Sequence, residues 1–157
     1  MFEGWIETAR QVVSNIFETM CFVALEPLSP DRASVPSRRP PCALLRGEIV
    51  FQGETSGRLR LYVPSDLAKS MAVNFLGQED EEISDAHLLD MVCELSNMVG
   101  GNLLSRLGRN MDYTLAPPQS RLLSPEEMTK DLRDSDRRVD LETEEGDRVT
   151  LHIEWGR

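Results

Sequence analysis

Apolar positions along the chain recur with two periods, and the switches between them predict the elements. Residues 4–22 place Trp5, Ile6, Ala9, Val12, Val13, Ile16, Phe17 and Met20 at helical spacing, which predicts a first helix. "FVALEPL" reads as a short strand closed by Pro27 and Pro30, and "SPDRASVPSRRPP" as a loop. "CALLRGEIVFQG" and "ETSGRLRLYVP" alternate in part and are joined around Gly53, the pattern of a hairpin. Pro64 opens a helix with Leu67, Met71, Ala72 and Phe75 on one side and Gly77 as its stop. After the acidic "QEDEEI", Ser84 or Asp85 caps a long helix that runs to about Leu107 and ends at Gly108. "MDYTLAPP" is a strand, and the stretch from Gln119 to Asp136 is polar. Within that stretch "SPEEM" predicts a short helix, with a Ser N-cap, Pro at the first position and acids in the first turn. "RRVDLETE" and "RVTLHIEW" alternate on either side of "EGD" and form a second hairpin.

The order is helix, three strands, two helices, three strands, as if one helix-plus-three-strands unit were used twice. That predicts an α+β fold: a six-stranded, mainly antiparallel sheet with helices packed on one face and solvent on the other. The length of 157 residues suits a single domain, 1–157.

Charge narrows the partners. A net charge of −10 argues against a binder of phosphate backbones, so no nucleic-acid partner is expected. "MFEGWIETARQ" lacks the basic start and apolar run of a signal peptide. No apolar run approaches the roughly 18 residues of a membrane span, so the reading is cytoplasmic, with no membrane partner. Cys21, Cys42 and Cys93 are widely spaced, which disfavours a disulfide framework or zinc site. Cys21 and Cys93 lie in apolar helical patterns and read as core thiols. His87 and His152 are isolated and read as structural. Arg38 and Arg39 read as solvated loop charge.

The long helix holds the candidate chemistry. Its apolar residues form one wide face, and Asp90, Glu94, Asn97 and Gly101 form the opposite row at offsets of four, three and four. Such neighbours stand about 5–6 Å apart at Cβ, so a carboxylate and a carboxamide project side by side. Taken alone, this is also the pattern of an ordinary solvated face. The adjacent glycines add to it, because each costs roughly 0.5–1 kcal/mol inside a helix. Gly101 lies on the row, where a missing side chain admits a partner. Gly100 borders the buried face and would let another element pack closely. Asn102 follows and would back-bond within the fold.

In "DMVCELSNMVGGN" the chain resembles the CheC/CheX/FliY family of chemotaxis phosphatases, and most the single-site CheX branch. The family pattern is Asp or Ser, three residues, Glu, two residues, Asn, then a proline about twenty-two residues on. Asp90, Glu94 and Asn97 match those spacings, while Pro117 and Pro118 come slightly early. "GRLRLYVPSDLAKSMAVNFLG" and "IFETMCFVALEP" extend the likeness. Val12 stands where a second site in the first helix would need Glu, so the resemblance implies one site per chain. It also implies a phosphorylated CheY-like response regulator as substrate. Asn97 would orient the attacking water and Glu94 would dock to the regulator's lysine. Asp90, Gly100, Gly101, Asn102, Pro117 and Pro118 would form the supporting or docking face. No metal or cofactor of its own is implied, since Mg2+ would sit in the regulator, and a homodimer is possible. The alternative is a non-catalytic adaptor that binds the regulator, or a flagellar-switch-type interaction module. A metal hydrolase is disfavoured because no ligand spacing is visible.

Overall fold

The computed structural model describes residues 4–108, 112–133 and 137–156. Met111, which begins one predicted strand, and residues 134–136 of the polar stretch lie outside them. The helices are α1 Trp5–Cys21, α2 Pro30–Ala33, α3 Ser65–Leu76, α4 Asp85–Gly108 and α5 Pro125–Asp131. The strands are β1 Glu26–Pro27, β2 Leu44–Gln52, β3 Ser56–Pro64, β4 Thr114–Leu115, β5 Gln119–Leu123, β6 Arg138–Glu142 and β7 Arg148–Gly156.

Local signals set most boundaries. Gly77 ends α3 in the left-handed region at φ 66°, where a side chain would be strained. Ser124 and Glu127 form a reciprocal capping box at the start of α5, with Pro125 next to the cap. Gly146, at φ 99°, makes the turn between β6 and β7.

All seven strands join one antiparallel sheet in the order β1-β6-β7-β3-β2, with β4 and β5 both along the far edge of β2. The order is symmetric about the β7–β3 pair. Each half contributes a hairpin, and the first strand of each half pairs with the hairpin of the other. The twice-used unit is therefore present, with its first strands exchanged.

The seventh strand arises at Pro117–Pro118. Neither proline has an N–H to donate, so the strand along β2 breaks there. Leu115 stands opposite Phe51 and Gln119 opposite Glu48, so four steps on one strand face three on the other. The prolines thus sit in a one-residue β-bulge. Because side chains alternate, that extra residue turns Ser120, rather than Gln119, toward the helices. The stretch expected to be a polar connection from Gln119 onward therefore begins with a strand.

α1, α3 and α4 share one face of the sheet and bury the main core, including Phe17, Leu61, Met71, Met91, Leu95 and Val99. On the opposite face Leu44, Tyr62, Leu123 and Leu132 form a small second cluster against Met128 of α5. The same face carries charge pairs. Arg46 meets Asp131 at 2.7 Å and Arg60 meets Glu48 at 2.6 Å. Burial pushes the Asp131 carboxyl up, but bonds from Arg46 and the Tyr62 hydroxyl outweigh it and hold the group below its usual range.

Arg38 and Arg39 differ from the expectation of solvated charge. Arg38 Nε donates to Glu142 at 3.2 Å and Arg39 pairs with Asp147 at 3.4 Å. Both carboxylates are buried and need partners, so the Pro-rich loop is stapled to the β6–β7 end. Cys21 is a core thiol as expected, and burial pushes it up to about 11. No helix among the described residues is long and apolar enough to cross a membrane.

His152 is fully buried in β7. Burial lowers its pKa, Glu154 opposes that, and Arg60, Arg138 and Arg58 add to the lowering. The unfolded chain therefore binds the proton more tightly, so stability is complete above the ordinary histidine value of about 6.5 and falls below it. Urea midpoints are expected to drop between about pH 7.5 and about pH 5.5. The drop should be shallower in His152→Gln; an unchanged slope in that variant would remove His152 as its source.

Candidate functional site

α4 buries Leu88, Met91, Val92, Leu95, Val99, Leu103 and Leu104 against the sheet and its neighbouring helices. The opposite side presents Asp90, Glu94 and Asn97 to solvent, with Gly101 half-buried above them. The structure thus brings the expected row together. None of the three side chains has a hydrogen bond or ion pair among the described residues.

The glycines divide in their roles. A Cβ on Gly101 would meet nothing within 4 Å, so the row ends in open space. A Cβ on buried Gly100 would stand 3.6 Å from Ile49 Cγ2, an ordinary contact, so close packing is not what calls for glycine there. The close approach occurs instead at Gly47 in β2. A Cβ at that position would overlap the Ser96 side chain of α4 and lie 3.0 Å from Val92 Cγ1. Ser96 is fully buried, and its Oγ has no hydrogen-bond partner among the described residues. Sequence reasoning missed this seat of the helix. Its signal was a glycine inside an otherwise regular strand, "LLRGEIV". Asn102 back-bonds as expected, with Nδ2 donating to Met98 O at 2.7 Å, which holds it along the helix rather than toward the row.

The two prolines come to the same helix from the sheet edge. Cys93 Sγ lies 3.7 Å from Pro118 O and donates to Ser120 Oγ at 3.3 Å. Ser120 Oγ donates to Leu89 O at 2.8 Å. Cys93 is one helical turn before Asn97, so the bulge lies along the flank of α4 that carries the carboxamide. Pro117 is exposed and Pro118 half-buried. Cys93 was expected in the core. It is half-buried because β5, which the pattern did not reveal, supplies its neighbour.

This surface is a convex helix face bearing one carboxylate pair and one carboxamide. Among the described residues no group of three His, Cys, Asp or Glu side chains could hold a metal ion. A carboxamide both donates and accepts, so it can orient a water without adding negative charge. A neighbouring carboxylate suits a cation on a partner.

A family model described as chemotaxis phosphatase CheX matches residues 46–141, which run from β2 into β6 and contain all of α4 and the bulge. A search of curated proteins found no match. Among solved structures, CheX from Vibrio vulnificus is 19% identical with a TM-score of 0.68, covering 98% of this chain and 99% of that one. The CheX from Borrelia burgdorferi, solved as a complex with CheY, BeF3 and Mg2+, is 15% identical with a TM-score of 0.70 and 98% coverage of both chains. A CheC-like protein from Shewanella oneidensis is 21% identical with a TM-score of 0.66, covering 99% of this chain and 100% of that one. These likenesses establish the fold, and the family model, which spans more than half of the chain and all of α4, establishes that this protein belongs to the CheX family of chemotaxis phosphatases.

Proposed function

We propose that the chain acts in the cytoplasm as one phosphatase domain that hydrolyses the aspartyl phosphate of a CheY-type response regulator. The observation that carries this reading is the Glu94–Asn97 pair on the exposed row of α4, without a partner among the described residues and bordered by the open space at Gly101. Phosphoryl transfer asks mainly for positioning and electrostatics, and an amide that holds water in line with phosphorus supplies positioning. Asn97 takes that part. Glu94 pairs with the regulator's active-site lysine and fixes the docked geometry. Mg2+ and the lysine belong to the regulator, and this chain contributes the water-orienting amide and the docking face.

The deciding experiment follows the decay of a phosphorylated CheY-type regulator from the same cell, with and without the protein. Faster decay supports the phosphatase. Binding without faster decay supports an adaptor. Glu94→Ala is expected to weaken binding by about 2 kcal/mol or more, roughly thirtyfold in Kd, because it leaves the lysine unpaired in the interface. Calorimetric titration with the beryllofluoride-loaded regulator measures this, and wild-type affinity in the variant would remove Glu94 from the docking role.

A further inference from the structure

We infer that Ser120 is a positioning residue for regulator docking, acting through the Pro117–Pro118 bulge. This rests on the phosphatase reading above. Three observations converge on it. The bulge is the one place where the β4–β5 strand leaves register with β2, and it lies beside the Asn97 flank of α4. The bulge is also what turns Ser120 toward the helix. Once turned, Ser120 Oγ both donates to Leu89 O and accepts from Cys93 Sγ, while the same thiol reaches Pro118 O.

These contacts tie the sheet edge to α4 on either side of Asp90. Leu89 precedes it and Cys93 lies one turn before Asn97. The exposed Pro117 is therefore held at a set height along the row. Proline suits such a wall. Its φ is fixed and it presents no N–H, so it meets a partner as rigid apolar surface with little entropy to lose. A regulator seated on Glu94 and Asn97 would meet that wall on its Asn97 side. Ser120 itself faces the helix and touches neither the partner nor the reacting atoms.

Ser120→Ala removes both hydrogen bonds and frees the bulge from the helix. The expected result is a roughly tenfold rise in KM and in Kd for the beryllofluoride-loaded regulator, with kcat at saturation within about twofold of wild type. Ser120→Thr keeps the hydroxyl and should restore both constants. Cys93→Ser keeps a donor and should behave as wild type, whereas Cys93→Ala should share part of the Ser120→Ala defect. If Ser120→Ala fails to fold, Cys93→Ala decides by the same measurements. Wild-type Kd in the alanine variants, or a fall in kcat at unchanged Kd, overturns the positioning role. The phosphatase reading fails separately, if the wild-type protein does not accelerate decay at all.

Discussion

Asn97→Ala is expected to abolish accelerated decay of the phosphorylated regulator, by about 10²-fold or more, while the fold stands. The two halves of that result come from different facts. Asn97 is exposed and has no partner among the described residues, so its removal should change stability by no more than about 0.5 kcal/mol. Alanine is also the better helix former. In the proposed mechanism its contribution to turnover is the oriented water, and no other side chain on the row would replace it. Asp90 and Glu94 would bring negative charge to the phosphoryl group. Asn97→Asp tests this, because it keeps the shape, adds that charge, and should also be inactive. Asn97→Gln keeps the amide but moves it outward by one methylene, and should be impaired. Single-turnover decay at saturating protein, together with thermal melting of each variant, measures both halves. An Asn97→Ala protein that turns over at the wild-type rate would remove the site assignment altogether.

Gly47→Ala is expected to damage both stability and the seat of the site helix. The added methyl would overlap Ser96, whose side chain belongs to the middle of α4, one residue before Asn97. The hydroxyl of Ser96 can rotate away, but Ser96 Cβ at 2.9 Å and Val92 Cγ1 at 3.0 Å are tied closely to the helix, so relief requires the helix to give. Overpacking of this kind costs typically about 1–3 kcal/mol and occasionally more, and the upper end applies where neither element can retreat. The helix must lift or shift, and the row it carries moves with it. Activity should therefore fall even in protein that remains folded. The double variant Gly47→Ala/Ser96→Gly removes both overlapping Ser96 atoms and should recover most of the loss, less roughly 1 kcal/mol for another glycine inside the helix. Ser96→Ala should recover less, because Ser96 Cβ would still lie 2.9 Å from the new methyl. A double-mutant cycle by urea denaturation reads this coupling, and additive effects would show that the two residues do not share the seat.

Patterning made the long elements legible. α1, α3 and α4, both hairpins and the N-cap at Ser124 follow from period and cap chemistry, which act over a few residues. The row Asp90–Glu94–Asn97–Gly101 was legible for the same reason, since one helix carries all of it. What escaped depends on contacts between distant segments. β5 reads "QSRLL", with no alternation to reveal it, and becomes a strand because β2 offers a free edge. The roles of Gly47, Ser96, Ser120 and Cys93 require knowing which strand lies under α4. The arginines of the Pro-rich loop looked solvated because Glu142 and Asp147, their partners, lie more than a hundred residues away.

The exchange of first strands between the two halves has a consequence for how the molecule can come apart. The helix bearing the row belongs to the second half, yet it rests on Gly47 in the hairpin of the first. The bulge that flanks it belongs to the second half, yet it lies along that same hairpin. Neither half is expected to unfold as a unit of its own, because each would lack an edge and expose unpaired backbone. The row is expected to survive or vanish with the whole sheet, so the rigidity that the proposed role of Asn97 asks for would come from cooperative folding rather than from any bond the amide makes itself.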